Sequence, residues 1–169
     1  FPKYETFADF LSNTIIGKRK HTISEFFYRT QHIQQLGGYQ IYPAGYYADD
    51  ASILLFCNNN GIASTEESLI VYRKSENNIS SSSCWNVEKS KAALKYYQWI
   101  IDEFPMKQQD EQIIQQRLDF DLYTYFSAAL NIHQSIQILN CIPVNIWNWK
   151  KKLLCLYKFI LNSYAKQIK

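Results

Sequence analysis

Tyr46-Tyr47-Ala48-Asp49-Asp50-Ala51-Ser52-Ile53-Leu54-Leu55-Phe56 joins two adjacent acids to an apolar run. Gly37-Gly38 marks a tight turn upstream, and Asn59-Asn60-Gly61 closes the run downstream. The spacing predicts a helix over 49–58 with both acids in its first turn, where the helix dipole favours negative charge. Adjacent carboxylates also repel, so beside a low-dielectric wall such a pair titrates as a unit and can serve as a general base. Two readings of the pair therefore stand, a decorated helix start and a catalytic base.

Working outward, Phe7, Phe10, Leu11 and Ile15 recur at helical spacing and Gly17 follows them, which predicts a short amphipathic helix. Lys18-Arg19-Lys20 reads as a solvated turn. Ile23–Tyr28 suits a strand, 29–36 a short helix closed by Gly37-Gly38, and Ser68–Tyr72 a second strand. Residues 75–83 are rich in Ser and Asn and read as a loop.

The second half reads as helical. Asn86 opens a helix to Phe104, with Val87, Leu94, Tyr97, Ile100 and Ile101 as its stripe and Pro105 as its stop. Residues 112–139 form one longer helix or a broken pair, with Ala128-Ala129 taken in favour of helix. A last helix starts near Pro143 and runs through Trp149 to Ile160. The fold class expected is α+β, predominantly helical, with residues 1–84 and 85–169 as two parts. One segment, 91–105, looks like a helix of a tetratricopeptide unit, but no second copy recurs.

Bulk composition narrows the field. The chain has 169 residues, enough for a real core, and 47% are apolar, which argues against disorder. A net charge of +3 is too small to imply nucleic acid. From Pro143 to Lys169 there are six lysines and no acid. Lys150-Lys151-Lys152 beside Trp147 and Trp149 reads either as a solvated basic face or as a contact for an anionic membrane. Cys57, Cys84, Cys141 and Cys155 share no metal-ligand spacing, and Cys57 and Cys155 read as core residues. A reducing, cytoplasmic location is expected, with peripheral contact at the inner membrane face as the membrane reading's consequence. His21, His32 and His133 read as packing or surface residues. The four tryptophans read as helix core or interface.

The ordered set from Glu25 to Ser80 resembles the C-terminal half of the catalytic domain of family 2 glycosyltransferases, which have the GT-A fold. The matching elements are Phe26–Arg29, Gln31–Leu36, Gly37-Gly38-Tyr39, Asp49-Asp50, Gly61, Leu69–Val71, and Tyr72-Arg73 through Ser80. They cover about a third of the chain. The resemblance implies an inverting transfer of sugar from a nucleotide-sugar donor to a hydroxyl acceptor on a cell-surface or lipid-linked glycan. In the family the second acid of the pair is the base, which makes Asp50 the counterpart and Asp49 its neighbour. Placing Asp50 there also puts Ile53 on an apolar helix position, where the other register would put Ser52. The family usually has Glu at the first acid, and this chain has Asp.

By the same resemblance Gly37 and Gly38 border the acceptor, and Arg73, Ser75 and Asn78 lie on the loop that closes over the donor. A divalent metal, Mg or Mn, is implied for the complete enzyme, with no metal ligand assigned in this chain. The family's nucleotide-binding units and Asp-x-Asp motif have no counterpart before Phe26. Asp119-Phe120-Asp121 matches the motif by letters alone. The chain is therefore expected to be the acceptor side of the enzyme, inactive by itself, with a helical C-terminal extension. It would be prone to self-association through surface that the absent half covers. The alternative reading is a non-catalytic helical, tetratricopeptide-like binding module.

Overall fold

The computed structural model describes residues 2–19, 23–58, 60–65 and 81–167, with only the backbone for 162–167. Within them the protein is predominantly helical, with one small two-stranded sheet. Helix α1 spans Phe7–Ile15. Thr6 caps it by accepting from the Asp9 N–H, and the Asp9 carboxylate accepts in return from the Thr6 hydroxyl at 2.7 Å. Phe10, Leu11 and Ile15 face the core, and Gly17 ends the helix in the left-handed region, as the spacing predicted.

The strand expected over Ile23–Tyr28 does not form. Ile23–Glu25 make a 3-10 turn and the chain continues without a ladder. The aromatic residues that suggested a strand are used for packing instead. Phe26 stacks with Tyr28, and these rings lie against Phe10 of α1 and against Phe56. β1, Tyr4–Glu5, pairs antiparallel with β2, Ile62–Ala63, Tyr4 lying opposite Ala63. Gly61 makes this pairing possible, because a side chain there would strike the Glu5 carbonyl at 2.3 Å. The strand expected over Ser68–Tyr72 falls outside the described residues.

Helix α2, Thr30–Gln35, leads to the Gly37-Gly38 turn, and α3 spans Ala48–Cys57. The second half holds α4 (Asn86–Glu103), α5 (Gln108–Ser127), α6 (Ile132–Cys141) and α7 (Trp149–Gln167). The stretch expected as one helix or a broken pair is broken. The break falls at Ala128-Ala129, the two residues taken in favour of helix. Asn131 explains it: its side chain accepts from the Gln134 N–H at 2.9 Å and starts α6 afresh, outweighing alanine's high helix propensity. Pro143 lies in the turn before α7, and Asn148 caps that helix by accepting from the Lys151 N–H.

One hydrophobic cluster runs through both halves of the chain, from Phe10, Ile53 and Leu54 to Tyr96, Ile100, Leu122, Ile138 and Trp147. Fully buried Ala92 and Ala93 make the inner face of α4 narrow enough for close helix packing, chiefly against α5 and then α6. Trp147 is sealed inside, whereas Trp85 and Trp149 are exposed. Cys57 and Cys155 are buried and all four thiols are free. No helix among the described residues is long and apolar enough to cross a membrane.

Candidate functional site

Gly37 and Gly38 both adopt left-handed backbone angles, φ 83° and 87°. The Gly38 N–H returns to the Ile33 carbonyl at 2.9 Å, which closes α2 and reverses the chain. Nothing lies within 4 Å of where a side chain would stand at either glycine, so this turn presents open backbone. Two ties then hold the turn to α3. His32 Nε2–H donates to the Phe56 carbonyl at 2.8 Å. The Gln40 N–H donates to Ser52 Oγ at 2.8 Å, and the Ser52 hydroxyl in turn donates to the Ala48 carbonyl. Ser52 is as completely buried as Ile53. The contrast between an apolar and a polar position, used above to set the register of the acids, is therefore absent: a satisfied serine occupies the inner face as well as an isoleucine does.

Two non-glycine residues before α3, Ala44 and Tyr47, have positive φ. Tyr47 sits at φ 65°, ψ 3°, left-handed although it is not glycine, at a cost of roughly 1–2 kcal/mol. Its side chain shows what holds it there. The Tyr47 ring stacks on Tyr96 at 4.7 Å, and its hydroxyl donates to Asp121 Oδ2 at 2.9 Å and lies 2.9 Å from the Tyr125 hydroxyl. Tyr97 donates to the same carboxylate oxygen at 2.6 Å, and Arg117 Nε lies 3.5 Å from the other. A buried carboxylate on α5 thus gathers tyrosines from α4, from α5 itself and from the lead-in to α3. Burial pushes the hydroxyls of Tyr47, Tyr96, Tyr97 and Tyr125 well above the ordinary tyrosine range, and the Asp121 charge adds to this for Tyr47, Tyr97 and Tyr125.

Asp49 and Asp50 follow in the first turn of α3, both half-buried. Asp49 Oδ1 accepts the Asp50 N–H at 3.0 Å, so the first acid satisfies one of the free N–H groups of the helix's first turn. The negative charges of the pair reach Tyr96 and Tyr46, raising both hydroxyls behind the dominant effect of burial. The structure therefore ties the Gly37-Gly38 turn to α3 at Ser52 and Phe56 and sets the acid pair at the start of that helix, near Tyr46 and Tyr96. Arg73, Ser75 and Asn78 lie outside the described residues. A wide, shallow hollow of about 650 Å³ opens elsewhere, between α4 and α6, lined by Cys84, Glu88, Lys91, His133 and Gln137 among others. It contains neither acid.

Sequence reasoning missed three residues of this region. Asp121 stands at the inward spacing of Ile114, Leu118 and Tyr125, a signal that was available. Tyr47 carries no mark of its backbone conformation. Lys89 reads as a surface lysine, yet it is buried, donating to the Ser82 carbonyl at 2.9 Å over the face of Tyr46, with its pKa lowered by burial. Asp119 also has a structural use. Its carboxylate accepts from the Trp147 indole N–H and from Lys151. Among the described residues no three His, Cys, Asp or Glu side chains converge as a metal site. Asp49 and Asp50 supply two carboxylates at the start of α3.

No protein-family model matches the chain, and no curated protein or solved structure matches it either.

Proposed function

We propose that this chain is the acceptor-side part of an inverting, GT-A type glycosyltransferase, its donor-binding half lying outside the sequence, and that Asp50 is the general base. One observation carries the reading. An open glycine turn is tied to α3 at Ser52 and Phe56, and the acid pair opens that same helix directly after a left-handed tyrosine anchored on a distant carboxylate. Backbone strain kept in place by tertiary contacts is concentrated at functional sites. A helix start needing only decorative acids has no use for it.

In the proposed reaction Asp50 accepts the proton of the acceptor hydroxyl as that oxygen attacks the anomeric carbon. The carbon–oxygen bond to the diphosphate breaks, and the diphosphate leaves with the bonding pair. Asp49, which accepts the Asp50 N–H, would tune the base or contact the acceptor. Gly37 and Gly38 let a sugar approach the main chain without meeting a side chain. Arg73, Ser75 and Asn78 would contact the donor phosphates, and Mg or Mn would act in the complete enzyme through ligands outside the described residues.

The test is Asp50→Asn in the complete enzyme. Transfer should fall about 10²–10⁴-fold, the usual worth of a general base, while nucleotide-sugar binding persists. Turnover close to wild type would remove Asp50 from the role. The second reading, a helical binding module, draws on the successive packing of α4 with α5 and α6 with α7. It predicts that Asp50→Asn changes nothing measurable.

A further inference from the structure

Helix α7 is apolar on both sides, and only one side is covered. Cys155 and half-buried Leu156 and Phe159 face the body of the protein. The other side carries Trp149, Leu153, Leu154, Tyr157, Ile160 and Leu161, with Trp149, Leu153 and Tyr157 each more than half exposed. At 100° per residue these six form one continuous stripe along the helix. A surface helix ordinarily turns charged residues outward, so a stripe of this kind marks a contact surface.

The lysines say which contact. Lys151 is turned inward onto Asp119, and Lys152 donates to the Leu139 and Ile142 carbonyls, closing the C-terminal end of α6. Lys150 instead lies over the exposed Trp149 ring at the N-terminal end of the stripe, and Lys158 is exposed at its margin. No acid occurs anywhere in α7. A second copy of the chain laid symmetrically on this face would meet lysines with lysines. An anionic surface supplies the missing charge and accepts the stripe.

We propose that the outward face of α7 lies in the interface of an anionic lipid bilayer. Trp149 and Tyr157 sit at headgroup depth, the leucines enter the acyl boundary, and Lys150 and Lys158 engage lipid phosphates. The helix lies on the bilayer and does not span it. This inference is independent of the role of Asp50.

The experiment is flotation of the full chain with vesicles of phosphatidylcholine alone and of phosphatidylcholine with phosphatidylglycerol at three to one, at low and high salt. The chain should float only with the anionic vesicles, and less at high salt. Replacing Lys150 and Lys158 by Gln together should weaken binding about 25-fold, at about fivefold for each lysine. Leu153→Gln with Tyr157→Gln should abolish it, with the circular dichroism spectrum and unfolding midpoint unchanged. Asp50→Asn should float like the unaltered chain. The proposal is overturned if anionic vesicles fail to float the protein. It is equally overturned if both double variants float normally, or if sedimentation shows a dimer that the Leu153 and Tyr157 substitutions dissociate, which would make a second copy the occupant.

Discussion

The tyrosine hub around Asp121 and the outward face of α7 are built from the same kinds of residue and treat them in opposite ways. In the hub, the hydroxyls of Tyr47 and Tyr97 are hydrogen-bonded to one carboxylate, Tyr125 is hydrogen-bonded to Tyr47, and the rings of Tyr46, Tyr47, Tyr96 and Tyr97 pack on one another. On α7, Tyr157 and Trp149 stand in the open with leucines between them. Aromatic content therefore says little about location. The partner of the polar tip decides, because a buried hydroxyl without an acceptor is costly while an exposed one has water.

Alkaline titration should break the comparison most strongly. Tyr42 is pushed up to about 12 by burial, and Tyr47, Tyr96, Tyr97 and Tyr125 are raised further. In the unfolded chain these groups ionise near 10. A tyrosine whose folded pKa is raised contributes stability that is complete below about 10 and is lost as pH climbs towards the folded value. Five such groups give a slope of about 7 kcal/mol per pH unit, at about 1.4 each, enough to unfold an ordinary domain within one to two units. Tyrosinate absorbance should therefore rise in a sharp cooperative step above pH 10, together with loss of helical circular dichroism. A gradual rise with the helix signal intact would mean that the hub is open to solvent.

Removing the carboxylate should come next. Asp121→Ala leaves the hydroxyls of Tyr47 and Tyr97 without their acceptor and Arg117 without its ion pair. The expected loss in urea unfolding is about 3–5 kcal/mol, from about 1–3 for each orphaned hydroxyl and a small part for the half-exposed ion pair. Asp121→Asn keeps an acceptor oxygen and should cost about half as much. A loss below about 1 kcal/mol for the alanine variant would show that the left-handed Tyr47 is held by something other than this carboxylate.

The helices were legible where one strong local rule acted alone. Phe7–Ile15, 86–103 and the acid-led α3 all follow from apolar spacing with a stop signal, and each forms close to the predicted bounds. Legibility failed where a tertiary partner outweighed the local rule. Ile23–Tyr28 has strand composition, but its aromatic rings are taken up by α1 and α3. Ser52 looks out of place on an inner helix face until the Gln40 N–H is seen to need it. Lys150-Lys151-Lys152 reads as one basic patch, yet successive residues on a helix point 100° apart. The three charges accordingly go to a tryptophan face, a carboxylate and a helix end. At the site, the acid pair and glycine turn were readable. The device that seats them was not, because nothing in a tyrosine's identity announces a positive φ, and Asp121 lies more than seventy residues away.

The smallest effect on stability sharpens the comparison from the other side. Leu153→Gln and Tyr157→Gln remove apolar groups from α7 that already face water in the isolated chain, so folding takes little hydrophobic free energy from them. Gln and Leu have similar helix propensity, which leaves no other mechanism for a large change. Each variant should stay within about 0.5 kcal/mol of the unaltered chain in urea, an order of magnitude below Asp121→Ala. A loss of 2 kcal/mol or more at either position would mean that the stripe is covered by the protein itself. With stability unchanged, any loss of vesicle flotation in the double variant belongs to the contact made by this face and not to the fold beneath it.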